Sequence, residues 1–510
     1  MTDEKVGALL RSHEPMVVIE APAGCGKTYQ AAWYAADIAK DIGLTKVLIL
    51  THTHAACSVI AKRTQAIRQR IELRTLDGFV HEIASVYHKA LSLPADVAVW
   101  ARTTQDGFEV LAKKVSTLLQ SSPMITKMLA KRYPVIICDE HQDSNVDQEA
   151  IVLSIAKQGA KVRVFGDPMQ VIPGGHGQDE KVAEVRSRWN TLKATGAYEE
   201  LRTGHRWSTT DPGLGEWILA SRQNLFAGRP VDLTGTLPEG ITILVAENRS
   251  MNGQFYRFCP DDENWGPVNR AINSSRSMLC LAARAQTVDG LRSTFKARLP
   301  IWEGHSNKSL EKLVDTLGSA DVDQIAKAKA YLKFLKATMS GFTSEYSRRM
   351  LTALGNPARA PRGQTAVTIA AMAKMISDGN RHRGYCGATE LLKGLIKSQT
   401  LPFQKMRIDY PRELNDFLKL GEFDDPHAGL AEIVHRRSRA HPSPPDKCLS
   451  TAHKSKGLEA ETVVLFAADG EHFTDSLAKR NLLYVALSRA TSAIYVVVSK
   501  SNPSPLLLVE

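Results

Sequence analysis

No apolar run in the 510 residues approaches the length that crosses a bilayer, which speaks against a helical membrane span. The polar start, Met1-Thr2-Asp3-Glu4-Lys5, lacks the pattern of a signal peptide, so a cytoplasmic protein with no membrane partner is expected. No two of the seven cysteines (Cys25, Cys57, Cys138, Cys259, Cys280, Cys386 and Cys448) form a CxxC pair. That argues against a zinc ribbon or an iron–sulfur cluster. Their odd number and scatter argue against a disulfide framework and leave reduced, mostly buried thiols. Internal repeats and low-complexity tracts do not stand out.

What is present is the composition of a soluble globular protein, 43% hydrophobic and 23% charged, in a chain longer than one core usually accommodates. Several domains are therefore expected. The balance is basic, with 65 Lys+Arg against 54 Asp+Glu. Such a balance favours a polyanionic partner without establishing one. The excess is uneven: residues 304–442 hold 22 Lys+Arg and 14 Asp+Glu, or +8 of the chain's +11. A solvated helical surface is the ordinary origin of such a run.

Short apolar runs read as buried parallel strands: Met16–Glu20, Lys46–Leu50, Val135–Cys138, Val162–Phe165, Ile241–Val245, Met278–Leu281, Thr462–Phe466 and Ile494–Val498. Stretches of helical period, such as Tyr29–Ile42 and Ala55–Gln69, lie between them. Strand and helix in alternation predict an α/β fold with parallel sheets. Two mostly helical stretches interrupt the alternation. The expected division is therefore a first α/β domain over 1–79 and 133–196 with a small helical insertion over 80–132. A second domain spans 197–303 and 443–510, with the basic helical insertion over 304–442.

After the first strand comes Ala21-Pro22-Ala23-Gly24-Cys25-Gly26-Lys27-Thr28, then a helical pattern. In such a loop the backbone N–H groups point at phosphate oxygens and the helix dipole adds positive potential. Gly24 and Gly26 permit close approach, Lys27 can reach the terminal phosphates and the Thr28 hydroxyl can ligate Mg²⁺. At the end of another apolar strand stands Asp139-Glu140. A carboxylate there is expensive unless it meets a cation. Asp139 would hold Mg²⁺ through water, and Glu140 would orient and deprotonate the attacking water.

The order of motifs resembles superfamily 1 helicases of the UvrD/Rep/PcrA type over nearly the whole chain. The form AxxGxGKT at Ala21–Thr28 is theirs. Lys46–Ala56 (KVLILTHTHAA) is similar to their TxTxxAA segment, and Thr75–Phe79 (TLDGF) to the motif that follows. Asp139–Asn145 (DEHQDSN) resembles DExQDxN, Gly166–Gln170 (GDPMQ) resembles GDxxQ, and Leu201–Ser208 (LRTGHRWS) resembles NYRS. Thr451–Glu459 (TAHKSKGLE) and Leu483–Ala490 (LYVALSRA) are close to the last two motifs. The resemblance implies two RecA-like P-loop domains, each carrying a mostly helical insertion, with ATP and Mg²⁺ as cofactors. It implies that Ala21, Cys25, Gly457 and Glu459 contact the nucleotide and that Gln170 senses the γ-phosphate. Arg206 and Arg489 would act as arginine fingers. Thr51, His52, Thr53, Phe79 and His453 would lie along a strand-binding groove with little base specificity.

Three departures matter. No Gln precedes Gln30, so the residue that reads adenine in those relatives is missing. Their aromatic pair after the GDxxQ motif is replaced by Val171-Ile172, and the Tyr of NYRS is His205. An intact hydrolysis site with an altered strand track is expected. The compact size and the Asp77–Val80 run resemble the helicase-like subunit of Gabija-type antiphage systems, which works with a separate OLD-family nuclease. Two functions follow as expectations. One is an ATP-dependent 3′–5′ DNA helicase or translocase acting on single strands and single-strand/duplex junctions. The other is a regulatory subunit that senses DNA ends and nucleotide and switches a partner nuclease. An RNA-directed motor is the third, less favoured alternative, because the resemblance is to DNA enzymes.

Overall fold

The computed structural model describes residues 2–43, 45–52, 57, 60–61, 63–246, 249–251, 254–256, 265–295, 299–302, 308–355, 363, 365–379, 382–440 and 444–509. Six of the strands form one parallel sheet. They are β1 (Met16–Glu20), β2 (Val47–Thr51), β3 (Ile71–Thr75), β4 (Val135–Cys138), β5 (Lys161–Gly166) and β6 (Ala197–Glu200), in the order β3-β2-β4-β5-β1-β6. The β-branched runs of the central strands suit a sheet covered on both faces, where side chains alternate with period two. Val18, Leu48, Leu50, Ile136, Val162 and Val164 enter one core. Val17, Ile19, Val47, Ile49, Ile137 and Phe165 enter the core on the other face.

Helices Leu76–Val86, Val97–Thr103, Gly107–Ser121 and Pro123–Arg132 occupy the stretch expected to be a helical insertion. They lie on the first face and share its core through Phe79, Val80, Ile83, Leu111, Val115 and Leu119. The expected helix over Ala55–Gln69 falls partly outside the described residues; within it Cys57, Ile60, Ala61 and Arg63 are helical, and a short 3₁₀ turn lies at Gln65–Ile67.

Five strands form a second parallel sheet. They are β7 (Ile241–Ala246), β8 (Met278–Ala282), β9 (Lys447–Thr451), β10 (Ala460–Ala468) and β11 (Ala490–Ser499), in the order β9-β8-β10-β11-β7. It too is buried on both faces, with Leu279, Leu281, Val463, Leu465, Ile494 and Val496 on one side. Met278, Cys280, Val464, Phe466 and Val497 face the other. Two parallel sheets with helical cover give the α/β, RecA-like architecture. Every strand expected from an apolar run is present. Within these two sheets three further strands, β3, β6 and β9, have no such apolar run; each is an edge strand of its sheet.

Contacts divide the chain into two units, Met1–Trp302 with Pro444–Glu510, and Glu303–Ser443. Both parallel sheets belong to the first. The second is helical, from Lys308–Gly318 to Pro426–Ala440, with one small antiparallel pair, Met339–Ser340 with Arg407–Ile408. It has its own core, including Leu313, Tyr331, Leu335, Met372, Leu392 and Phe417. Among the described residues no helix is long and apolar enough to cross a membrane.

Candidate nucleotide site

The loop between β1 and helix Lys27–Ile38 is built by two left-handed glycines, Gly24 (φ 77°) and Gly26 (φ 81°). A Cβ on Gly24 would stand 2.7 Å from Cζ3 of Trp207, and one on Gly26 would stand 3.1 Å from Cδ2 of His205. Both conformation and space therefore demand glycine. Gly26 caps the helix without a side-chain hydrogen bond, which leaves the first-turn amides to other acceptors. The Cys25 thiol is buried beneath the loop, and burial pushes it up to about 12, so it is inert as a nucleophile.

Lys27 leaves the first turn of that helix and meets the acid pair at the end of β4. Its ammonium is 3.7 Å from Asp139 and in closer contact with Glu140. Burial works against the ammonium, but the two carboxylates outweigh it and hold Lys27 above its ordinary value. Asp139, also buried, is raised, and Glu140 is lowered by Lys27 despite burial. Glu140 sits in the left-handed region at φ 55°, a strained setting for a non-glycine residue and one that clusters at functional sites. Gln142 donates to the Glu140 carboxylate, and its own Oε1 accepts from the Asp167 amide at 3.1 Å. A Thr28 hydroxyl and one strand-end carboxylate, completed by phosphate oxygens and water, are the donor set that suits Mg²⁺. The residues present fit that ion. Among the described residues no group of three or more His, Cys, Asp or Glu could hold a metal on its own.

Two arginines reach this place. The Arg206 amide donates to the Gly24 carbonyl at 3.1 Å, and its guanidinium contacts Glu459 and the Ser488 carbonyl. Arg489 is only 2% exposed. It donates to the carbonyls of Val485 (2.9 Å) and Leu458 (3.2 Å) and to the Ser488 hydroxyl (2.7 Å). Among the described residues no carboxylate pairs with it. Burial, aided by the adjacent Arg206 charge, pushes the Arg489 guanidinium down to about 10. A buried cation held only by neutral acceptors is a site prepared for an anion.

Residues 6–176 match the AAA domain family, and residues 447–497 match the UvrD-like helicase C-terminal domain. The chain thus carries an AAA domain and a UvrD-like helicase C-terminal domain, which together support a superfamily 1 helicase. It is accordingly an ATP-hydrolysing enzyme of the nucleic-acid-binding kind. No curated protein matches it.

Of the strand-contacting residues expected in this helicase, His52 and His453 are half-buried and Thr51 is fully buried. The Thr51 hydroxyl has no hydrogen-bond partner among the described residues. His52 Nε2 lies 2.9 Å from the Ser144 hydroxyl, and burial holds the imidazole below its ordinary value and hence neutral. Thr53 lies outside the described residues. Phe79 requires a correction. It is 2% exposed, packed edge-to-face on Tyr133 within the core, and has no face to offer a base. His205, which stands where the relatives carry the Tyr of NYRS, places Nε2 2.6 Å from Asp3 Oδ2 and lies against Gly26. Gly457 takes φ 81°, and Glu459 stands against Arg206.

Residues that sequence reasoning missed complete the helicase's site. Trp207, fully buried, donates from Nε1 to the Ala490 carbonyl at 2.7 Å and backs Gly24. Arg222, on helix Pro212–Phe226, bonds Glu20 at the end of β1 (Nη2–Oε1 2.6 Å) and Asp167 just after β5 (Nη2–Oδ1 2.8 Å). The other Asp167 oxygen accepts from Gln170 Nε2 (3.0 Å) and the Tyr484 hydroxyl (3.1 Å). The Tyr484 oxygen in turn accepts from the Ala23 amide of the loop (2.8 Å). Glu20 was visible as an acid closing an apolar strand and Tyr484 lies inside a quoted motif. A lone arginine on a helix carries no such signal.

Proposed function

We propose that this chain is a DNA-stimulated ATPase that moves 3′ to 5′ along single strands and opens single-strand/duplex junctions. The carrying observation is the buried Arg489, held by neutral acceptors beside Arg206, whose own amide bonds the phosphate-binding loop at Gly24. In this reading Lys27 and the loop from Ala21 to Thr28 bind the phosphates, and Thr28 and Asp139 would hold Mg²⁺, which would supply neutralisation of phosphate charge. Glu140 orients the attacking water and takes its proton, Gln170 contacts the γ-phosphate, and Arg206 and Arg489 stabilise the charge that develops on transfer. Gly457 and Glu459 flank the nucleotide. Steady-state ATP and GTP hydrolysis, with and without single-stranded DNA, tests the proposal. Strand-dependent turnover abolished by Lys27→Ala and by Glu140→Gln is expected. Normal rates in either variant would remove the site assignment.

One observation favours a second reading, a regulatory subunit that switches a separate nuclease in antiphage defence. The positions where relatives carry base-stacking aromatics hold Val171, buried against Val182 and Ala478, and Ile172, packed on the core of the second sheet. Lys27-dependent hydrolysis indifferent to DNA, with no unwinding of a tailed duplex, would support that role over the motor.

A further inference from the structure

Charges buried together are weak evidence for stability, because hydrophobic side chains of the same volume often serve a core as well or better. The cluster around Arg222 is such a case: Arg222, Glu20 and Asp167 are 4%, 6% and 0% exposed. Glu20 Oε2 is also satisfied from outside the pair, by Trp189 Nε1 (3.0 Å), Tyr198 hydroxyl (3.2 Å) and Lys193 Nζ (3.3 Å). Arg222 Nη1 reaches Glu200 at 3.4 Å, and Nε reaches Asp167 at 3.1 Å. The guanidinium thus spans the carboxyl ends of β1 and β6 and the turn after β5. Only one oxygen of Asp167 is used by Arg222. The other is left to gather Gln170 and Tyr484. Tyr484 belongs to helix Leu477–Leu487, whose end delivers Arg489, and its hydroxyl holds the Ala23 amide.

We propose that Arg222 is a positioning residue of the hydrolysis site. By fixing Asp167 against Glu20, it sets the side chain of Gln170 and ties the helix that leads to Arg489 to the phosphate-binding loop. This rests on the hydrolysis site assigned above and adds a residue to it that no motif contains. The fork of an arginine is needed. A lysine keeps the charge but cannot bond two carboxylates from separate nitrogens of one planar group. The device acts on turnover rather than on nucleotide affinity, because it touches the loop at one amide and touches none of Lys27, Thr28 or the first-turn amides.

The test uses the full chain with Arg222→Lys, Tyr484→Phe and the double variant. Melting temperature, KM for ATP and kcat at saturating single-stranded DNA are measured for each. Tyr484→Phe removes one hydroxyl and keeps the ring, so it guards against an Arg222→Lys variant that does not fold. The expected result is a kcat lower by about tenfold or more in each single variant, with KM within about threefold, as for groups that align reactants. The double variant is expected to lose no more than the worse single, because both act through Asp167. A Tyr484→Phe variant with wild-type kcat, or losses that multiply in the double variant, overturns the proposal. Hydrolysis by the wild type that requires Lys27 is judged separately, so either result leaves the assignment of the nucleotide site standing.

Discussion

Replacing Arg489 with glutamine separates an arginine that works on phosphate from one that only holds the fold. Burial, with Arg206 alongside, pushes its guanidinium down to about 10. At about 1.4 kcal/mol per pH unit, keeping that charge inside costs roughly 3 kcal/mol of folding stability. The sign follows from the direction: a base whose folded value is depressed destabilises wherever it is charged, which covers all pH values below about 10. Glutamine removes the charge and still donates to one of the acceptors at Leu458, Val485 or Ser488. The acceptors it abandons cost about 1–3 kcal/mol each. Two abandoned acceptors, about 2–6 kcal/mol together, are offset by the roughly 3 kcal/mol regained, so the stability of nucleotide-free Arg489→Gln should stay within about 3 kcal/mol of wild type. Turnover should fall by about 10³ or more, the range seen for arginine fingers. A non-hydrolysable ATP analogue should raise the melting temperature of the variant less than that of wild type, because stabilisation follows affinity. Scanning calorimetry with and without analogue, beside steady-state ATPase, reads all three. A variant that hydrolyses ATP within tenfold of wild type while losing more than about 3 kcal/mol would identify a structural arginine and refute the reasoning.

Other outcomes are equally concrete. Gly24→Ala, forced into φ 77° with its Cβ 2.7 Å from Trp207, should cost about 1–3 kcal/mol and weaken nucleotide binding, checked by thermal melting and nucleotide titration. Glu20 is held below its ordinary 4.5 by Arg222 in spite of burial. It therefore contributes stability that is present above that value and lost as pH falls towards the depressed one. Glu20→Gln should flatten this part of the acid limb in urea melts below pH 4.5; an unchanged limb would contradict it. Tyr331→Phe, in the helical unit, strips the buried bond to the Thr389 hydroxyl (2.9 Å) and should cost about 1–2 kcal/mol by denaturant titration, with ATPase unchanged.

Much of the fold was legible because its central strands are continuous apolar runs, and the reason for each omission is equally physical. β3 (IELRT), β6 (AYEE) and β9 (KCLST) lie at sheet edges, where a strand is only partly covered and its sequence need not be apolar throughout. Phe79 was read as a strand contact through its motif, yet its surroundings already said otherwise. Leu76, Phe79, Val80, Ile83 and Ala84 recur at i, i+3, i+4, i+7 and i+8, the buried stripe of a helix, and that helix begins at Leu76 under a Thr75 cap. Periodicity outranked the motif there. In the nucleotide site Lys27 meets Asp139 and Glu140, and Arg206 meets Gly24 and Glu459, since each of these motifs sits at or just beyond the carboxyl end of a strand. Arg222 was not legible, because its significance lies wholly in partners 55 and 202 positions away.

The burial of Phe79 and Val171 and the packing of Ile172 bear on how a strand would be held. Stacking of a base on an aromatic side chain is worth about 1–3 kcal/mol, so removing one stacked base from a strand weakens binding by about five- to a hundredfold. Here the phenylalanine packs on Tyr133, and the two aliphatic residues are engaged by cores of their own. Contacts to the sugar–phosphate backbone then carry most of the affinity, and these do not need a base. Single-stranded DNA with an abasic stretch should bind within about threefold of the ordinary strand, with the same steep dependence on salt. Fluorescence anisotropy on matched oligonucleotides measures both. An abasic strand that binds tenfold weaker or worse would mean that other rings stack on bases, and that the strand track is less altered than the loss of these three aromatic contacts implies.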